Sequence, residues 1–248
     1  MKIRVIDLET TGFEPPEHAP CEVGFVDLDS YSTDLAGEPS YWAVSQPRSW
    51  LCHPGRSIPP EASAIHHIID SDVELEERWS VAMPAHDETI DIYCAHNAKF
   101  EQVFITPEMI GGRPWICTYK CALRLWPDAP SHSNQALRYW LGLWFGINRA
   151  YADNAHRAGP DAYVTAHILL RMLETPGVTI QQLLEWSEKP ALLVKCHIGG
   201  WRGTRWEDID DPSFLDWILR RDFDENMMFT ARHHLNRLMQ AEKDGAKQ

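Results

Sequence analysis

The chain has 248 residues, 44% of them hydrophobic, enough to bury one full core and a small second one. Its net charge of −13 argues against a protein that coats nucleic acid by bulk attraction. No stretch approaches the length of a membrane-spanning helix, and the first residues read as a strand rather than a signal peptide, so a cytoplasmic protein with no membrane partner is expected.

Residues 2–9 of KIRVIDLETTG form the first predicted strand. Side chains alternate along a strand, which puts Ile3, Val5, Asp7 and Glu9 on one side and Arg4, Ile6 and Leu8 on the other. Two acids about 7 Å apart on one face are too close to be left uncompensated in a dry core. Either the strand frays after Ile6 and the acids belong to the turn Thr10-Thr11-Gly12, or both carboxylates converge on one cation. CEVGFVDL (21–28) is the second strand and a third lies near Ser49 to His53, which suggests a meander. IDIYCAH (90–96), apolar nearly throughout, reads as a central strand covered on both faces, and PWICT (114–118) as a further one.

At the exit of the fourth strand, AHNAKFE offers His96 and Asn97, and Glu101 opens a helix. An acid in the first turn of a helix is a common partner of the helix dipole, so Glu101 alone leaves that reading open beside a role as ligand. A helix follows Ser133, with Leu137 and Leu141 in phase and Gly142 as its stop. In HRAGPD, Pro160 is favoured at the first helical position of a helix reaching Leu173, which puts Asp161 on the stripe of Val164 and Ile168, with His156 on the segment before it. The architecture is mixed α/β.

A break follows Thr175-Pro176-Gly177; then come a short helix from Thr179, a helix opened by Asp211-Pro212, and a last one carrying Met228, Ala231, Leu235, Leu238 and Met239. Residues 243–248 read as a loose tail. The division expected is a first domain over 1–176, a linker with a short helix over 177–194, and a small C-terminal module over 195–248, a candidate for nucleic-acid binding. Residues 1–188 hold 13 Lys and Arg against 26 Asp and Glu, whereas 189–248 hold ten of each, so the acidic excess lies in the first part. Lys189, Lys195, Arg202 and Arg205 stand beside Trp201 and Trp206 with no acid between 189 and 206. That stretch is either a phosphate-and-base surface or a glycine-kinked hairpin whose tryptophans belong to a small core. The six cysteines carry no CxxC spacing and suit reduced, buried thiols.

Three carboxylate clusters and a histidine, each at the end of a core element, fit one site. The matching chemistry is two-metal phosphoryl transfer, with two Mg²⁺ or Mn²⁺ held by hard oxygen ligands and a base to accept the proton of water. With DLETTG, HNAKFE and HRAGPD in this order, and AIHHI (64–68) between the first two, the chain resembles the DEDDh group of DnaQ-like 3′→5′ exonucleases over roughly residues 1–175. The likeness extends more weakly through IGGWRGTRWEDI and DPSFLDWIL.

The resemblance implies an RNase H-like fold, a five-stranded mixed sheet flanked by helices, with a small C-terminal extension. It implies that Asp7 bridges both metals, that Glu9 and Asp161 complete the shell of the first, that Glu101 fills the role of the second motif, and that His156 is the general base. Most of the family has Asp where this chain has Glu101. It also places the 3′-terminal nucleotide against Thr10, Thr11, His66, Asn97 and Phe100. Phe13, just after the turn, either stacks on the terminal base or packs under its own loop. The implied partner is nucleic acid, with DNA 3′ ends preferred; trimming of RNA and a non-catalytic DnaQ-like binding module are the alternatives.

Overall fold

The computed structural model describes residues 1–33, 39–83 and 87–245. Its strands are β1 (Lys2–Thr10), β2 (Pro20–Thr33), β3 (Pro39–Val44), β4 (Arg48–Leu51), β5 (Ile92–Ala95) and β6 (Trp115–Cys117). The helices up to the middle of the chain are α1 (Pro60–His66), α2 (Asp70–Val73), α3 (Trp79–Ala82), α4 (Glu101–Phe104), α5 (Thr118–Leu125) and α6 (Asn134–Trp140). After them come α7 (Arg149–Ala152), α8 (Ala158–Leu173), α9 (Ile180–Glu188), α10 (Pro212–Leu219) and α11 (Glu225–Gly245). Two compact units are formed, one from residues 1–119 and 129–184, the other from 120–128 and 185–248. The boundary expected at residue 176 and the linker over 177–194 thus compare with a division between 184 and 185, and residues 120–128 group with the C-terminal part.

In the first unit the sheet runs β3-β2-β1-β5-β6, with β4 also paired to β2. β1 is antiparallel to β2 and parallel to β5, which is parallel to β6, giving the mixed sheet expected. Where one third strand was expected there are two. β2 is 14 residues long, and successive lengths of it pair with β4 through Glu22–Phe25 and with β3 from Leu28 on.

β1 lies inside the sheet and is covered on both faces, which explains why it reads as nearly continuous apolar sequence. Ile6 and Leu8 join Val23, Phe25, Tyr93, Phe104 and Ile105 in one core cluster. On the other face Asp7 stands opposite Gly24 of β2. A Cβ at Gly24 would come within 2.2 Å of the Ala158 carbonyl carbon, so only glycine lets the start of α8 lie directly on the sheet beside Asp7. Arg4, 7% exposed, is held by Asp27 on the neighbouring strand through two bonds of 2.8 Å.

α8 begins two residues before Pro160, at Ala158. A proline is tolerated there because the first-turn N–H groups have no acceptor within the helix, and Asp161 still falls in the first turn.

The second unit is built around Cys196, Trp206, Ile209, Leu215, Ile218, Met227 and Ala231. Asp211 caps α10 as expected, its carboxylate accepting from the N–H groups of Ser213 and Phe214 at 2.9 and 3.0 Å. Lys195 and Arg205 face each other across an antiparallel bridge, with Gly203 at φ +87° in the turn. Trp206 is fully buried and Trp201 packs against the same core. The stretch 189–206 is thus the glycine-kinked hairpin, and its tryptophans serve the core instead of forming an open base-stacking surface.

All six cysteines are buried and none forms a disulfide. Among the described residues no helix is long and apolar enough to cross a membrane. Of the tail expected over 243–248, α11 includes residues up to Gly245, and 246–248 lie outside the described residues.

Candidate active site

β1 does not fray after Ile6: it stays paired with β2 through Glu9, so Asp7 and Glu9 keep one orientation. Asp161, from the first turn of α8, joins them, and each of the three brings a carboxylate oxygen within 4.8 Å of the others. Glu101 opens α4, only 3% exposed, with its Oε2 buried and without a hydrogen-bond partner. A carboxylate oxygen buried unpartnered, in electrostatic reach of Asp7 and Glu9, is costly unless a cation or a proton neutralises it.

The electrostatics say the same. Burial pushes the Asp7 carboxyl well above its usual range, reinforced by Asp161, Glu9, Glu101 and Glu22. Burial lifts Glu9 to about 8, with Asp161 and Glu22 adding to it and Arg157 opposing. Glu101 rises to about 8, again mainly through burial, with Glu9 contributing. Asp161 is raised by burial and restrained by hydrogen bonds from Gln135 and from the backbone of His156. Without a cation the cluster retains protons; a hard divalent cation would displace them, and an all-oxygen donor set is what Mg²⁺ or Mn²⁺ takes. The residues present therefore fit a divalent-metal site.

His156 is exposed and has φ +61°, in the left-handed region. Its backbone N–H donates to Asp161 Oδ2 at 2.7 Å, while Gln135 Nε2 donates to Oδ1 at 2.8 Å. One carboxylate therefore sets both the path of the loop carrying His156 and its own orientation.

Sequence reasoning missed four residues that hold this corner. Gln135 is the first. Asn134 Nδ2 bonds the Asp161 carbonyl at 3.1 Å and Thr165 Oγ1 at 2.6 Å. Glu22, 1% exposed and directly opposite Glu9, accepts both N–H groups of the Arg157 fork at 2.8 Å and the Ala158 N–H at 3.1 Å. The signal for this pair was an acid on the inner face of the second strand, with no neighbouring cation in the sequence to explain it.

Thr10, Thr11, Phe13, His66 and Phe100 line one cleft of about 430 Å³ together with Glu9. Thr10 Oγ1 donates to the Gly12 carbonyl at 2.6 Å, and Thr11 Oγ1 accepts from the Ala19 N–H at 3.1 Å, so both hydroxyls shape the turn. His66 is buried, with Nδ1 accepting the Ile68 N–H at 3.0 Å and Nε2 lying 3.7 Å from Cys21 Sγ. Burial lowers its pKa, and a neutral ring protonated on Nε2 follows from that bonding. Phe13 is 79% exposed at the cleft and does not pack under its loop.

Asn97 lies outside that lining, exposed and at φ +68°, where its carbonyl accepts the Phe100 N–H at 2.9 Å and turns the chain into α4. His96 is an anchor, its ring nitrogens 2.9 Å from Thr118 Oγ1 and from the His132 carbonyl, and burial holds its pKa at about 4.

The RNase T exonuclease model matches residues 5–169, which include all of these side chains. Exodeoxyribonuclease 10 of Escherichia coli K12 is 32% identical over 237 residues, covering 94% of this chain and 98% of the relative. The DNA polymerase III epsilon subunit of Treponema pallidum is 28% identical over 175 residues, covering 67% of this chain and 74% of the relative. Among solved structures, exonuclease X in complex with 5′-overhanging duplex DNA is 31% identical with a TM-score of 0.58, covering 75% of this chain and 99% of that one. With the family match spanning well over half of its length, and its carboxylate cluster within the matched segment, the chain belongs to the RNase T family of exonucleases.

Proposed function

We propose that the chain is a divalent-metal-dependent 3′→5′ exodeoxyribonuclease that releases nucleoside 5′-monophosphates one at a time. The observation that carries this reading is the convergence of Asp7, Glu9 and Asp161 within 4.8 Å, next to a Glu101 oxygen that is buried and unpartnered. Asp7, Glu9, Asp161 and Glu101 would hold Mg²⁺ or Mn²⁺, two ions per site, which when bound would supply charge stabilisation at the scissile phosphate and a more acidic attacking water. The imidazole of His156, exposed beside Asp161, takes the proton of the water at a ring nitrogen. Phe13, at the open cleft, meets the terminal base, and Thr10, Thr11, His66 and Phe100 form the wall behind it. Asn97 contributes the turn that presents Phe100 and Glu101.

A DNA substrate is supported by the E. coli and T. pallidum relatives, whose names are those of DNA enzymes. Six buried cysteines without a disulfide are in keeping with a reducing compartment, and we place the enzyme in the cytoplasm. The test is digestion, side by side, of 5′-labelled single-stranded DNA, duplex DNA and RNA of one sequence. Stepwise shortening of the DNA strands is expected. Preferential shortening of the RNA would reassign the enzyme as an exoribonuclease, and no product from any strand would make it a binding module.

A further inference from the structure

The second unit contains a cavity of about 330 Å³ walled entirely by its own residues. Arg124 lies on that wall, with Nε and Nη2 buried and without hydrogen-bond acceptors. Its guanidinium rests between the rings of Trp186 and Phe229, 5.8 and 5.9 Å from their centroids, and no carboxylate among the described residues contributes to its electrostatics. Burial lowers its pKa, yet a guanidinium remains charged in a protein. Arg124 is half-buried as a whole, and two buried N–H positions of a charged group left without acceptors are costly.

Two further polar atoms on the same wall lack partners: Nε1 of Trp206, a side chain with 0% exposure, and Nδ1 of His234, 6% exposed. Burial holds His234 at about 4, so its ring is neutral and can carry its proton on Nδ1. Arg205 is already engaged, by Asp128 and Glu207 at 2.6 Å each. Arg237 gives one N–H to the Glu207 carbonyl at 2.6 Å and has the rest of its fork to offer.

Three arginines thus border the cavity against one glutamate, and that glutamate is taken. A phosphate group, with several acceptor oxygens and negative charge, matches planar guanidinium forks better than any neutral ligand does. We propose that this cavity is a phosphate-binding site, held by Arg124 and Arg237, with Trp206 Nε1 and His234 Nδ1 as neutral donors. Its lining shares no residue with the nuclease centre, whose Asp7, Glu9, Glu101, His156 and Asp161 all belong to the first unit. A phosphodiester of a nucleic-acid strand and a free phosphate monoester share this chemistry.

The test uses the full chain in EDTA, so that phosphate cannot bind through divalent metal. Inorganic phosphate is titrated by calorimetry and by its effect on Tm, and is expected to bind saturably and to stabilise the protein. Arg124→Gln should weaken this by about tenfold or more, as loss of a charge-assisted bidentate contact does, with Arg124→Lys recovering part of it. Arg237→Gln, at an exposed position, should also weaken it and carries the test if Arg124→Gln fails to fold. No saturable effect of phosphate in the wild type, or one of equal strength in the variants, overturns the proposal. A deoxynucleoside 5′-monophosphate and a short single-stranded oligonucleotide then separate the two sources. Oligonucleotide affinity that falls with Arg124→Gln identifies the strand, and monophosphate affinity that falls alone identifies the free monoester.

Discussion

Replacing Glu101 by Gln in the metal-free protein isolates the cost of burying a fourth carboxyl. Glu101 is 3% exposed and its Oε2 has no partner, and burial, helped by Glu9, lifts it from 4.5 to about 8. The folded protein therefore keeps a proton that the unfolded chain has already released. Its contribution to stability is fully present below pH 4.5 and is lost as pH rises to about 8. At about 1.4 kcal/mol per tenfold change in proton affinity, the whole span is roughly 5 kcal/mol. Because part of it is repulsion shared with Glu9, about 2–4 kcal/mol is expected for Glu101 alone.

Gln has nearly the same shape and cannot ionise. Urea unfolding in EDTA at about pH 5 and about pH 9 should therefore show the variant gaining on the wild type by that amount between the two conditions. Equal pH dependence in the two proteins would refute the reasoning, because it would mean that Glu101 ionises in the folded state as freely as in the unfolded one. With Mg²⁺ the same substitution should abolish most turnover, whereas Glu101→Asp should retain a substantial part.

His156→Ala should reduce kcat by about 10² to 10⁴-fold while Mn²⁺ affinity, measured by calorimetry, stays near wild type, since the role proposed for the imidazole is to take the water proton and not to hold the metal. Glu22→Gln breaks the paired bonds to Arg157 and should cost about 3 kcal/mol in urea unfolding, with a fall in kcat because Arg157 joins His156 to the start of α8. Phe13→Ala should leave stability unchanged, because the side chain is 79% exposed, and lower kcat/KM on single strands by about tenfold through lost stacking on the terminal base.

The features legible in the sequence were those encoded within a few residues. DLETTG, HNAKFE and HRAGPD each place an acid at the end of a core element, and alternation along β1 was enough to put Asp7 and Glu9 on one face. Asp211-Pro212 announced α10 because an N-cap and a first-turn proline act locally. What was not legible depends on pairing across long separations. Glu22 and Arg157 lie 135 residues apart, and Gln135 reaches Asp161 across 26. β2 is long enough to take two short strands along one edge, which no window of the sequence displays. Residues 120–128 belong to the second unit although residues 129–184 of the first follow them, so Arg124 could not be connected with Trp206 or His234 from periodicity. Trp206 illustrates the remaining ambiguity: an aromatic beside cations and glycines has the same local pattern on a surface and in a small core.

The most direct measurement of the central claim is the direction and product of cleavage by the Mg²⁺-loaded enzyme. Three DNAs of one sequence are compared: a linear strand with a free 3′-hydroxyl, the same strand with its 3′ end blocked, and a closed circle, with Asp7→Asn protein as control. The carboxylate site at the end of β1 predicts nucleoside 5′-monophosphates from the free strand, little from the blocked strand, none from the circle, and no product with Asp7→Asn. Oligonucleotides released from the circle, or unchanged activity in the Asp7→Asn protein, would contradict it.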